Sequence, residues 1–269
     1  MRLITLTGLA GLAALAACSD GGPASTGRVE FAIATSAATT IPGPAFSENY
    51  TDLGGNSLDV DSVLVVVRKL KLEGGPGSAC MTDDSTMMDG SLGLADSADD
   101  QGEGEHECGD LRFGPFLVDL PVGAAGADHQ FTVTVDTGTY GEVMFQIHKP
   151  EGANDTTFLA QHPEYAGVSI RVVGSFNGTP FVYTIGVTDV QHVEFDPPLV
   201  VGEGGTSFTL FVDLSGWFRT GTGALVDPAT AMGDGANVTL VHQNIIQSFH
   251  GFEDEDHDGH NDHEGEGSD

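Results

Sequence analysis

Alternating carboxylates with a glycine among them are the residues of this chain whose spacing carries the clearest chemistry. In FEDEDHDGHNDHEGEG, residues 252–267, Asp254, Asp256, Asp258, Gly259 and Asp262 spell D-x-D-x-D-G-x-x-D. Such carboxylates converge on one hard cation such as Ca²⁺, and the glycine permits the sharp turn that brings them round it. Counted from Asp254, the main-chain carbonyl of His260 would serve at loop position seven and Asp262 at nine, through water. At position twelve Gly265 stands where a bidentate Glu would close the shell, with Glu264 and Glu266 on either side. That departure predicts the affinity class of extracellular modules, roughly 10⁻⁴–10⁻³ M. Two other readings stay open. His257, His260 and His263 offer imidazoles to Zn²⁺, and a run of acids can also remain a solvated tail. The acid–glycine register fits calcium better than the histidine spacing fits zinc.

The second chemistry is at the other end. The chain starts Met1-Arg2, runs largely apolar from Leu3 to Ala17 and continues LAACSDGG. One positive charge, an apolar stretch and small residues before a cut make a secretory signal over residues 1–17, too short for a spanning helix, which needs roughly twenty residues. Leu15-Ala16-Ala17-Cys18 resembles the bacterial lipobox, in which the cysteine becomes the lipidated first residue of the mature protein. That resemblance implies acylation of Cys18, with the membrane as partner through the lipid. Ser19 in place of Asp after the cysteine implies, by the same resemblance, the outer membrane. Several acyl chains anchor firmly because each buried CH₂ contributes about 0.8 kcal/mol.

In an exported chain the two remaining cysteines, Cys80 and Cys108, read as a disulfide. A loop of that length gains about 3–4 kcal/mol in the chain-entropy account. The alternative is a thiol metal site with His106, Met81, Met87 and Met88, soft ligands that suit Cu(I). With five of its ten histidines at or after His242, the chain keeps a Zn- or Cu-handling role as the second functional reading.

Nine basic residues against forty acidic ones give a formal charge of −31. Nucleic acid and anionic lipid surfaces are therefore poor partners, since both require positive charge. Residues 74–110 and 251–269 hold about half of the acids and no Lys or Arg. No nucleophile elbow, H-E-x-x-H, P-loop or dinucleotide fingerprint occurs. His148 and His192 fall at outward-facing strand positions and read as surface residues. Asp213 and the acids near Asp196 could pair in space, which would be needed for a third reading, an envelope hydrolase.

The elements that must position these groups are strands. SDGGPASTG, residues 19–27, reads as a tether, and the domain as residues 28–236. RVEFAIAT places Val29, Phe31 and Ile33 on one face. SLDVDSVLVVVRKLKLEG is β-branched and continuous, a central strand. Phe116, Val118 and Leu120 alternate. Phe131, Val133 and Val135 lead through a turn near Asp136–Gly138 to Val143, Phe145 and Ile147, which predicts a hairpin. Asn177-Gly178 between two alternating runs predicts a type I′ turn, and two or three more strands follow. Residues 158–165 fit a short helical turn. A helix is predicted over 237–251, with Asn237 as N-cap, Gly251 as stop, and Val238, Val241, Ile245, Phe249 and Phe252 on one face. The expectation is an all-β, antiparallel sandwich of eight or nine strands, one C-terminal helix and an acidic tail over 252–269.

The order VDSVLVVVRKLKLEG, FGPFLVDLPVG, DTGTYGEVMFQIHKPE resembles an uncharacterised family of bacterial lipoprotein domains with a prealbumin-like or immunoglobulin-like sandwich. The acidic loop is similar to those of EF-hands, dockerins and thrombospondin-type repeats, and the match is to the loop alone. The first resemblance spans residues 27–150 and implies a non-catalytic envelope role, binding or structural. It transfers no site residue.

Overall fold

A computed structural model describes residues 25–35, 47–74, 110–112, 114–123 and 128–253. Its strands are β1 (Thr26–Thr35), β2 (Glu48–Thr51), β3 (Ser57–Gly74), β4 (Asp110–Arg112), β5 (Phe116–Leu120), β6 (Asp128–Asp136), β7 (Gly138–Ile147), β8 (Ile170–Phe176), β9 (Thr179–Ile185), β10 (Asp189–Val201), β11 (Thr206–Val212) and β12 (Phe249–Glu253). They form an all-β sandwich: a four-stranded sheet in the order β12-β11-β1-β6 faces an eight-stranded sheet built on β3. Strands β2, β4 and β12 bring the described total above the expected eight or nine.

β3 is the spine. Val63, Val65, Val67, Leu70 and Leu72 point into the sandwich, while Val66 is equally buried on the opposite face. Burial on both faces is why its sequence is continuous rather than alternating. The backbone of Val66 donates to the Ser169 carbonyl (2.7 Å) and accepts from the His148 amide (2.9 Å). The N–H and C=O of one strand residue point the same way, so β7 and β8 run along the same edge of β3. Between them residues 149–168 leave the sheet and fold back over its outer face. This excursion contains α1 (Thr156–Gln161) and a 3-10 turn, Pro163–Tyr165. Phe158 and Tyr165 close a small second core on Val66.

The β8–β9 hairpin forms as expected. Asn177 (φ 49°) and Gly178 (φ 73°) both take the positive φ that a type I′ turn needs. The hairpin expected from β6 and β7 does not form: β6 pairs with β1, whereas β7 pairs with β3 and β10. Only Thr137 separates the two strands, and there the chain passes from one sheet to the other. Tyr140 Oη donates to the Asp136 carbonyl (2.8 Å) and fixes this corner. An alternating pattern reports a buried face, and both strands do bury one face in the same core, but from opposite sides. β1 and β11 also pair in parallel rather than antiparallel fashion.

The C-terminal helix is shorter than expected. α2 spans Val238–Ile246, and Phe249 and Phe252 belong to β12 on the edge of β11. Ser248 ends the helix: its amide donates to the Ile245 carbonyl, its own carbonyl accepts from the Asp213 amide, and its hydroxyl accepts from Trp217 Nε1 (2.8 Å). Gly251 is no stop. It lies inside β12, where a Cβ would come within 2.7 Å of Val193 Cγ1. Asn237 precedes the helix without capping it, and its Nδ2 donates to Thr230 Oγ1 instead. Thr26 and Gly27, at the end of the segment read as a tether, are already paired in β1.

Between the sheets, Trp217, Tyr140, Tyr183, Phe145, Phe208 and Phe218 are almost wholly buried. An apolar void of about 20 Å³ lies beside Phe145, lined also by Phe31, Val65, Leu120 and Leu210 with their neighbours. That is near the size of one water, and such walls offer a water no partner.

Candidate functional site

Along β7, Val143, Phe145 and Ile147 enter the core, so Glu142, Met144 and Gln146 face outward, and His148 follows them. The strand pairings carry this polar stripe sideways. Lys71, Met144 and His192 lie side by side on β3, β7 and β10, and Glu73, Glu142 and Glu194 form the adjacent row. Lys71 Nζ pairs with Glu73 Oε1, and His192 Nδ1 lies 3.4 Å from Glu142 Oε2. Burial, then the neighbouring Glu73 carboxylate, holds the Glu142 carboxyl above its usual range, with His192 opposing.

His148 is buried, not a surface residue. Alternation places it outside the sheet correctly, but the 149–168 excursion covers that face. Its Nε2 is 3.0 Å from Asp155 Oδ2, which also accepts from the Glu151 amide (2.8 Å). His148 and Asp155 thus pin the two feet of the excursion's first turn. Among the described residues, His148 Nδ1 and Asp155 Oδ1 have no hydrogen-bond partner. Burial lowers the His148 pKa, and the bond and charge of Asp155 oppose that shift.

A second buried carboxylate closes one end of the sandwich. Glu48 accepts from Thr35 Oγ1 (2.8 Å) and from the Tyr50 hydroxyl. Burial raises the Glu48 pKa against these donors, and burial with the Glu48 charge raises that of Tyr50. Nearby, Asp52 accepts from Asn56 Nδ2 and from the Leu225 amide, both at 2.9 Å, which lowers its pKa to about 2. Asp213 lies close enough to Glu48 for its charge to help raise the Glu48 pKa. Its Oδ1 accepts from the Ser215 amide (2.9 Å) and hydroxyl (2.6 Å), capping a 3-10 turn. His192 is the half-exposed strand residue that alternation predicts.

Cys18, Cys80 and Cys108, the calcium-loop residues Asp254, Asp256, Asp258, His260 and Asp262, and Met81, Met87, Met88 and His106 lie outside the described residues. Among the described residues, no group of three or more His, Cys, Asp or Glu is arranged to hold a metal ion. The groups that sequence reasoning missed are Glu73, Glu142 and Asp155. Each is an ordinary surface acid by type, and only the strand pairings and the excursion bring it to a partner.

The class that the fold defines is the two-sheet all-β sandwich. No protein-family model and no curated protein matches the chain. Among solved structures it is similar to MbnP from Methylosinus trichosporium, at 12% identity and a TM-score of 0.40, over 80% of this chain and 86% of that one.

Proposed function

We propose that this chain is a lipid-anchored, non-catalytic module of the cell envelope, a β-sandwich that carries a weak calcium loop at Asp254–Asp262. Acyl chains on Cys18 hold it to the membrane, the sandwich is the scaffold, and the acids beyond it meet the divalent cation. The observation that carries this reading is the way the scaffold ends. β12 pairs with β11 through Glu253, whose Oε1 accepts from Thr206 Oγ1 (3.0 Å). The first carboxylate of the loop, Asp254, is thus joined directly to a paired strand, so the loop starts from a fixed point. A loop anchored at one end loses less entropy on closing round an ion than a free tail would.

The anchor is tested by replacing Cys18→Ser in the expressed precursor and fractionating the cells. The expected result is transfer of the protein from the membrane fraction to the soluble one. Membrane retention equal to that of the wild type contradicts the lipid anchor.

A further inference from the structure

His148 and Asp155 are joined under the roof formed by residues 149–168, and their side chains are only 9% and 3% exposed. His148 Nε2 stands 3.0 Å from Asp155 Oδ2, the same oxygen that accepts from the Glu151 amide. The neutral ring carries its proton on Nε2 and leaves Nδ1 a bare acceptor. Among the described residues neither Nδ1 nor Asp155 Oδ1 has a partner, and both atoms are buried. A second ring proton would turn Nδ1 into a buried donor on a charged ring with nothing to receive it, a costlier omission than a bare acceptor. The charged groups around the ring are Arg68 from β3, which repels that proton, and Asp155 and Glu151 from the excursion, which attract it. Glu151 is already paired with Lys149. Asp119 of β5 and Arg171 of β8 act on Tyr165, and the His162 ring lies against Phe158.

The roof has a small hold on the sheet. Phe158 and Tyr165 bury themselves on Val66 in a cluster separate from the main core, and segments with few buried contacts open most easily. The neck is firmer: the Gly167 amide donates to the Pro150 carbonyl (2.9 Å) and the Lys149 amide to Thr188 Oγ1 (3.2 Å). We propose that residues 151–166 are a pH-gated flap: protonation of His148 breaks its hold on Asp155, and the flap lifts on its neck and uncovers the apolar strip Leu64, Val66 and Leu117. The lowered His148 pKa agrees in sign. Closure is favoured fully above the ordinary His value of 6.5 and is lost as pH falls from there through the lower folded value.

Native-state amide exchange and the His148 ring resonances, followed by NMR in the full mature chain between about pH 7 and pH 5, test this. The His148 midpoint should lie below 6.5. The Glu151 amide, bound to Asp155, and the His162 amide, bound to the Phe158 carbonyl, report on the flap. Corrected for intrinsic exchange, their protection should fall by about tenfold per pH unit between 6.5 and the folded midpoint. That of Val65 and Val172, paired within the sheet, should hold. In His148→Gln, whose amide can still reach Asp155, the fall should vanish. In the wild type alone, unchanged flap protection, loss in flap and sheet together, or a His148 midpoint at or above 6.5 overturns the proposal. So does a fall that persists in the variant.

Discussion

His148 shows how a residue's chemistry can be legible in sequence while its environment is not. Alternation along β7 placed it on the outer face, and it is there, but the same face is roofed by residues 149–168. No local pattern announces a roof, because the polar excursion reads as a surface loop. The consequence is a pH dependence. The His148 pKa is lowered in the fold by burial, so the unfolded chain takes up the proton more readily than the native one. The stabilisation is complete above the ordinary His value of 6.5 and is lost as pH falls from there through the lower folded value. Urea denaturation of the wild type should give a midpoint that declines between about pH 7 and pH 5. In His148→Gln, whose amide can still reach Asp155, that part of the decline should vanish. Equal pH slopes in the two proteins would mean that His148 titrates as it does unfolded.

At the scale of elements, what could be read was what local sequence decides. β3 was legible because its middle, Val63 to Val67, is an unbroken apolar run, and the structure covers both faces there. The β8–β9 hairpin was legible because Asn177-Gly178 suits only one kind of turn. The sheet change at Thr137 was not, since a period of two names a face and leaves the partner open. Nor was β12: Phe249 and Phe252 continue the spacing of α2, and it takes the free edge of β11 and the bonds of Ser248 to make them a strand. The turn offers a clean test. At Gly178 a Cβ would meet nothing within 4 Å, so a substitution there acts through φ alone. Gly178→Ala should destabilise the protein by about 1–2 kcal/mol, the cost of left-handed backbone for an L-residue. Thermal denaturation reads it, and an unchanged midpoint would argue against the type I′ geometry.

For the whole molecule, the division of labour is electrostatic. About half of the acids lie in 74–110 and 251–269, while the titratable groups best defined in the sandwich serve the fold. Asp52 ties a hairpin tip to Leu225, Glu48 closes one end, and Asp155 holds the excursion. The candidate cation chemistry was therefore read from sequence alone, and the structure adds its point of attachment at β12. Calorimetric titration of the full mature chain with Ca²⁺, beside an Asp256→Ala, Asp258→Ala variant, tests that division most directly. The account predicts a saturable heat in the wild type, with a dissociation constant of roughly 10⁻⁴–10⁻³ M, and its loss in the variant. No saturable heat at millimolar Ca²⁺, or identical heats from the two proteins, would contradict it and leave residues 254–269 as a charged tail.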